Sequence, residues 1–178
     1  MVLRKAAAYS KKYARPYTRK SAKRIKSYIK TIPPNKVVKF HMGAIKDFDE
    51  GKLKFIIKLV SGEKIMIRDN SLEACRQHVN RLMDKEFLGQ HYFTVKVYPH
   101  HLLRENRALT GAGADRMSSG MQKSFGSIAG RAAMVKEGQE IFVIATSTEK
   151  ARKYAFKLFQ TIKAKLPCHT RVVLETLK

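Results

Sequence analysis

Acidic residues are scarce in this chain, and their scarcity restricts its function more than any other feature. The 178 residues carry 14 Asp and Glu against 37 Lys and Arg, a formal net charge of +23. Such an excess repels itself unless a polyanion neutralises it, so nucleic acid is the expected partner. Residues 1–46 contain no acid and supply 14 of the bases. The excess is therefore concentrated near the N-terminus.

Cysteines are few, and long apolar runs are missing. Cys75 and Cys168 are far apart and neither belongs to a Cys-x-x-Cys pair, which fits a reducing compartment and gives no disulfide framework. No apolar run approaches the about 18 residues of a membrane helix. Met1 to Ala8 is too short and too soon charged for a secretory signal. We therefore expect a cytoplasmic protein without a membrane partner.

The residue patterns that carry most enzyme chemistry are also missing. Cys75 and His78 share a helix face, but no second ligand pair follows at a recognisable spacing. The run 111–116, Gly-Ala-Gly-Ala-Asp-Arg, lacks the third glycine and the following helix of a dinucleotide fingerprint. Glu105 and Asp115 flank the start of the loop, but nothing in the sequence gives either carboxyl the raised pKa that acid–base work needs. We expect no catalytic residue, metal, cofactor or small-molecule substrate, and hence no enzyme.

The N-terminal bases are interleaved with aromatic residues. Four of the seven tyrosines, Tyr9, Tyr13, Tyr17 and Tyr28, lie there. Aromatic faces beside phosphate-binding bases are typical of RNA-binding segments. A transit peptide, a solubilising tail and a membrane-surface segment are alternatives, but the tyrosines favour RNA. We predict that residues 1–36 form a basic RNA-binding arm and that residues 37–178 form one α+β domain.

Hydrophobic periodicity predicts seven strands, at 36–42, 54–60, 64–68, 91–98, 132–135, 140–145 and 171–177. The strands 54–60 and 64–68 are predicted to pair as a hairpin around Ser61-Gly62. Two helices follow apparent capping boxes, Asn70/Glu73 and Thr146/Glu149. Their apolar faces are Leu72, Cys75, Val79, Leu82, Met83 and Phe87 in the first, and Ala151, Tyr154, Ala155, Leu158, Phe159 and Ile162 in the second. Because βαβ alternation is absent, we predict an α+β fold with a mainly antiparallel sheet and both helices packed on it.

Residues 106–130 interrupt this pattern. Five glycines are too many for a stable helix, and alternation is too poor for a strand. Compact domains rarely keep a loop of this length unless it is functional or disordered. Its bases, two methionines and Phe125 stand against one acid, Asp115. This composition suits contact with an anionic, stackable surface, so we predict a functional loop.

The same loop carries a resemblance to a known family. The run 98–116, Tyr-Pro-His-His-Leu-Leu-Arg-Glu-Asn-Arg-Ala-Leu-Thr-Gly-Ala-Gly-Ala-Asp-Arg, resembles the signature of a universal family of large-subunit ribosomal proteins. That family is called L-ten-e in archaea and eukaryotes and L-sixteen in bacteria. Similar motifs stand upstream at 15–20, Arg-Pro-Tyr-Thr-Arg-Lys, and at 40–43, Phe-His-Met-Gly. The resemblance runs from about residue 9 onward and is of the archaeal type.

The resemblance implies a hammerhead-like strand arrangement and a place on 23S-type rRNA between the central protuberance and the peptidyl-transferase cleft. It also implies that the loop points toward the A- and P-site tRNAs and that the protein takes part in translation and late ribosome assembly. Neighbouring large-subunit proteins and the 5S rRNA region are further expected partners. A ribosome-independent RNA chaperone and an RNA-modifying enzyme remain the alternatives.

Two sets of residues are expected to make these contacts. The arm residues expected to bind rRNA are Lys11, Lys12, Arg15, Tyr17, Arg19, Lys20, Lys23 and Arg24. The loop residues expected to face tRNA and the peptidyl-transferase centre are Arg104, Arg107, Gly111, Gly113, Arg116, Met117, Lys123 and Arg131.

Overall fold

The computed structural model describes residues 5–10, 32–105 and 127–176. These residues form eight strands and three α-helices. The strands are β1 (His41–Gly43), β2 (Phe55–Ser61), β3 (Ile65–Arg68), β4 (His91–Val95), β5 (His101–Glu105), β6 (Ser127–Val135), β7 (Glu140–Thr146) and β8 (Thr170–Thr176). The helices are α1 (Ile45–Asp49), α2 (Asp69–Phe87) and α3 (Glu149–Ile162), and a 3₁₀ turn, Lys163–Lys165, follows α3.

The strands divide into two antiparallel sheets. The larger sheet has the order β1-β4-β7-β2-β8, with Phe93 of β4 opposite Ile144 of β7. The smaller sheet has the order β3-β6-β5. One hydrophobic core joins both sheets to α2 and α3, and the tilted pair Phe93 and Phe142, 5.7 Å apart, lies within it. The predicted α+β class with antiparallel pairing is confirmed, although there are two sheets instead of one.

Both predicted amphipathic helices are confirmed. The core-facing residues of α2 are buried at Leu72, Cys75, Val79 and Met83, while Leu82 and Phe87 are partly buried against the same core. In α3 the predicted face is buried except for Tyr154, which instead meets Phe87 of α2 with ring centres 5.5 Å apart. The period of 3.6 residues was therefore a sufficient guide to which helix faces pack. Among the described residues, no helix is both long and apolar enough to cross a membrane.

The predicted hairpin around Ser61-Gly62 is wrong. Strand β2 pairs with β7 on one edge and β8 on the other, so neither edge is open to β3. At its end the Ser61 N–H donates to the Gln139 carbonyl and the Gly62 N–H to the His169 carbonyl. The chain then crosses to the smaller sheet, where β3 pairs with β6. A tight turn signal fixes a local reversal but not the strand partner.

Both predicted capping boxes are also wrong. Helix α2 begins one residue before Asn70, and Glu73 bonds Arg76 and Gln77 instead of the helix start. Helix α3 is capped by Thr148, whose hydroxyl accepts from the Ala151 N–H at 3.4 Å, while Thr146 is buried in β7. Two predicted strands also differ from the structure. Only the last two residues of the predicted strand 36–42 are in β1. The strand predicted at 91–98 ends at Val95, and its residues are buried on both faces of the sheet.

Gly43 offers a test of how β1 joins the larger sheet. Its φ of +85° belongs to the left-handed region, and an added Cβ would overlap the backbone oxygen of His91 on the neighbouring strand. Gly51 has a similar φ of +73° but open space around its Cα. We expect Gly51→Ala to lower the free energy of unfolding by about 1–2 kcal/mol, because an alanine side chain is strained at this positive φ. Gly43→Ala should cost about 1–3 kcal/mol more through the overlap.

Guanidinium unfolding followed by circular dichroism measures both variants on one scale. Equal losses at the two positions would contradict the close approach of β1 to His91.

Candidate nucleic-acid interface

Most of the predicted RNA contacts lie outside the described residues. This holds for all eight arm residues: Lys11, Lys12, Arg15, Tyr17, Arg19, Lys20, Lys23 and Arg24. It also holds for six loop residues: Arg107, Gly111, Gly113, Arg116, Met117 and Lys123. Only the backbone of Arg104 is described, in β5 opposite Ile128, whereas Arg131 is described in full. What the structure supplies is the attachment of both segments to the folded body.

The loop is attached through β5 and β6. These strands pair from His101 opposite Ala132 to Glu105 opposite Ser127, with a register shift between Leu103 and Arg104. The predicted loop 106–130 is therefore too long at its C-terminal end, because residues 127–130 belong to β6. The two strands that flank the loop are hydrogen-bonded neighbours, so its ends are held at the spacing of adjacent strands, about 5 Å.

The N-terminal side of the arm is attached to β3. The backbone oxygen of Ser10 accepts from the Met66 N–H at 3.1 Å, and Ser10 is 3% exposed. Tyr9 packs against a small cluster that includes Met66, and the guanidinium of Arg68 lies 6.0 Å from its ring centre. Tyr9 was grouped with the RNA-stacking tyrosines of the sequence, but its ring is used within the protein.

The C-terminal side of the arm is attached through Pro33, Asn35 and Lys36. The backbone oxygen of Pro33 accepts from Arg131 Nε at 2.7 Å, and Asn35 Oδ1 accepts from the Val37 N–H at 3.1 Å. The Lys36 N–H donates to the Asp69 carboxylate at the start of α2. Burial raises the pKa of Asp69, and this hydrogen bond and the one from the Asn70 N–H oppose the rise.

These attachments bring both predicted RNA-binding segments to one sheet. On β6, Met134 stands opposite Met66 and is three residues from Arg131, which is about 10 Å along a strand. The described residues on either side of segment 11–31 thus contact the smaller sheet, and those on either side of segment 106–126 belong to it. Ser10 and Pro33, both within the predicted arm, thus contact the folded body through their backbone oxygens.

Arg131 connects the two attachment points. It stands opposite Leu102 of β5 in the strand pair below the loop, and its Nε holds the Pro33 carbonyl below the arm. Its Nη1 lies 3.4 Å from the Tyr98 hydroxyl, and the Tyr98 ring stacks on Phe40. Arg131 was predicted to face RNA. Its Nε and Nη1 are used within the protein, so contact with RNA remains a prediction for Nη2.

The described residues contain no group of three or more His, Cys, Asp or Glu side chains arranged to hold a metal ion. Cys75 is buried in the core, where burial raises the pKa of its thiol to about 12. His78 on the same helix lies beside Lys165 and Arg81 rather than beside a second ligand.

The model of the family described as ribosomal protein L16p/L10e matches residues 14–173. The chain belongs to this family. A protein of Methanococcus maripaludis named "Large ribosomal subunit protein uL16" is 39% identical over 98% of this chain and 95% of its own length. Proteins of the same name from Staphylothermus marinus and Pyrobaculum islandicum are 36% and 38% identical, over 100% and 99% of this chain and 97% and 93% of theirs. The family and the archaeal type expected from the sequence are confirmed.

Sequence reasoning missed the residues that attach the arm. Ser10, Pro33 and Arg68 act through backbone oxygens or through a ring–guanidinium contact, and none of these has a sequence signature of its own. The one available signal was the Pro33-Pro34 pair, which marks the point where the basic run ends.

Arg131→Met tests this attachment. Methionine keeps much of the length but removes the charge-assisted hydrogen bond to Pro33, worth about 1.5–3 kcal/mol. We expect amide exchange at Val37 to accelerate about tenfold or more, while Ile67 in β3 keeps its protection. Hydrogen exchange read by NMR measures both sites. Lys136→Met, at an exposed turn, is the matched control and should leave Val37 unchanged. Unaltered exchange at Val37 in Arg131→Met would mean that Arg131 does not hold the arm.

Proposed function

We propose that this protein is a structural constituent of the large ribosomal subunit. It binds 23S-type rRNA near the central protuberance and the peptidyl-transferase cleft and helps to position A- and P-site tRNA. Membership of the L16p/L10e family and near full-length similarity to proteins named for the large subunit support the first part. The observation that best supports the second is the attachment of arm and loop to one three-stranded sheet.

The arm supplies the electrostatic part of rRNA binding. Its bases neutralise phosphates, and each neutralised phosphate releases counterions, which makes binding steeply dependent on salt. Tyr17 packs on a sugar or base face beside these contacts. The arm residues proposed for this role are Lys11, Lys12, Arg15, Arg19, Lys20, Lys23 and Arg24. Because Ser10 and Pro33, on either side of segment 11–31, are attached to the sheet, rRNA bound by this segment fixes the sheet's orientation.

The loop then meets the tRNA ends. Gly111 and Gly113 let the backbone approach RNA closely, and Arg116 forks onto a phosphate or stacks on a base. Arg104, Arg107, Met117 and Lys123 assist. Since arm and loop share the smaller sheet, rRNA contacts made by the first determine where the second points. Neighbouring large-subunit proteins and the 5S rRNA region are further partners. The protein joins the subunit late in its maturation.

The first test asks whether the protein stays with the particle. We expect it to co-sediment stoichiometrically with large subunits after a high-salt wash. If about eight phosphates are neutralised, binding of the purified protein to deproteinated large-subunit rRNA should show a log–log salt slope of roughly −6 to −7. A protein found mainly free of large subunits, with binding tolerant of any RNA, would instead be a ribosome-independent chaperone. A slope near zero would exclude both.

The second test concerns Arg116. We expect Arg116→Ala to leave the melting temperature of the isolated protein unchanged, because the sequence places Arg116 in the predicted loop and not on an apolar face that packs in the core. Reconstituted subunits should lose about tenfold or more in tRNA affinity, as a charge-assisted hydrogen bond is worth about 1.5–3 kcal/mol. Lys136→Ala, which removes one charge from an exposed turn, serves as the control. Reduced thermal stability with normal tRNA binding would show that Arg116 is structural.

A further inference from the structure

Three aromatic rings are stacked where the chain passes from the larger sheet to the smaller one. The ring centre of Tyr98, between β4 and β5, lies 5.3 Å from that of Phe40, and the two ring planes are 24° apart. The ring centre of His100 lies 4.4 Å from that of Tyr98, with the planes 45° apart. Both pairs are close enough for ring–ring attraction. Tyr98 is therefore the middle ring of the three.

This stack runs from the core to the solvent. Phe40 is half-buried and packs against the main hydrophobic core. Tyr98 is 41% exposed and His100 is exposed as well, whereas Val97 and Pro99 are buried. The outermost ring of an ordered stack thus faces water, and a further flat ring can be added there.

The rings are held in place by hydrogen bonds of the surrounding chain. The backbone oxygen of Phe40 accepts from the Val95 N–H at 2.9 Å, and the His100 N–H donates to the Tyr98 carbonyl at 2.9 Å. The Tyr98 hydroxyl lies 3.4 Å from Arg131 Nη1. A ligand that stacks on rings already held in this way has few side chains to order, which lowers the entropic cost of its binding.

Two cations border the exposed rings. Arg131 meets the hydroxyl of Tyr98, and Lys96 is exposed two residues earlier, about 7 Å along the chain. Because Val97 between them is buried, Lys96 and Tyr98 lie on the same side of the chain. Within the described part of the chain, neither Lys96 nor Arg131 belongs to an ion pair. Both cations are therefore available to an anion beside the rings.

We propose that the exposed end of this stack, formed by His100 and the uncovered part of Tyr98, is a binding site for an unpaired RNA base. The base continues the stack, and the phosphates on either side of it lie toward Arg131 and Lys96. Aromatic rings beside cations are the combination with which proteins bind bases outside a duplex. The inference rests on the proposed function, because it takes rRNA as the partner, and it adds a contact outside the arm and the loop.

The outermost ring favours RNA over a protein partner. His100 is flat and polar, so its faces can stack on a base while its ring nitrogens stay in water. An apolar protein surface would bury those nitrogens without hydrogen-bond partners, which is costly. Lysines such as Lys96 are also depleted in protein interfaces, whereas a phosphate backbone attracts them.

His100→Ala removes the outermost ring and tests the site. The probe is deproteinated large-subunit rRNA, bound to the full-length protein over a series of KCl concentrations. Loss of one stacked base should weaken binding about fivefold or more at each concentration. The log–log salt slope should keep its wild-type value, because stacking neutralises no phosphate and releases no counterion. The matched control is His169→Ala, whose side chain is 96% exposed, and it should bind like the wild type.

Two further variants at the same position separate stacking from other contacts. His100→Phe keeps a flat ring but has no ring nitrogen, so it should restore most of the affinity that His100→Ala loses. His100→Trp places a single indole at the end of the stack, because the chain contains no tryptophan. Bound rRNA should quench its fluorescence more strongly than that of His169→Trp.

The outcomes separate the site from the proposed function. If the wild-type protein shows no salt-dependent binding, the proposed function itself fails. If it binds and His100→Ala binds bare rRNA equally well, the stacking site is overturned while the function stands, and loss of this variant from intact subunits alone would assign the rings to a protein partner.

Two results would show a polar or ionic contact in place of stacking and would also overturn the site: His100→Phe fails to restore binding, or His100→Ala has a shallower salt slope. Should His100→Ala unfold, the fluorescence of His100→Trp decides the question, and quenching no stronger than in His169→Trp rejects the proposal.

Discussion

The pairing of β6 with both β3 and β5 is the constraint on which the rest of the interface depends. Strand β6 carries Arg131, whose guanidinium holds the Pro33 carbonyl, and it faces β3, whose Met66 N–H holds Ser10. It also closes the base of the loop through its pairing with β5. Because all these contacts meet on three strands, the described residues on both sides of segments 11–31 and 106–126 are attached to one sheet. In the function proposed above, this shared base lets rRNA contacts in one segment determine where the other points.

The acidic residues of the folded body are mostly used in ion pairs within it. The folded body uses its few carboxylates internally: Lys58 bridges Glu140 and Glu175, and Arg76 pairs with Glu73. For Glu73, burial opposes ionisation, but the hydrogen bonds from Arg76 and Gln77 outweigh it and place the pKa of Glu73 below its usual value. Residues 1–46 contain no acid and supply 14 of the 37 bases, so the excess of positive charge is greatest there. A net charge of +23 is that expected of a protein that binds a polyanion.

The sequence predicted local features well and long-range ones poorly. The buried faces of α2 and α3 followed from apolar spacing, because a helix repeats its environment every 3.6 residues. The strands on either side of Ser61-Gly62 were also located, yet they belong to different sheets, since pairing is decided by distant β7, β8 and β6. At the interface, composition and family resemblance supplied candidate bases. They could not supply Ser10 or Pro33, which contribute backbone oxygens, or the use of Tyr9 and Arg131 within the protein.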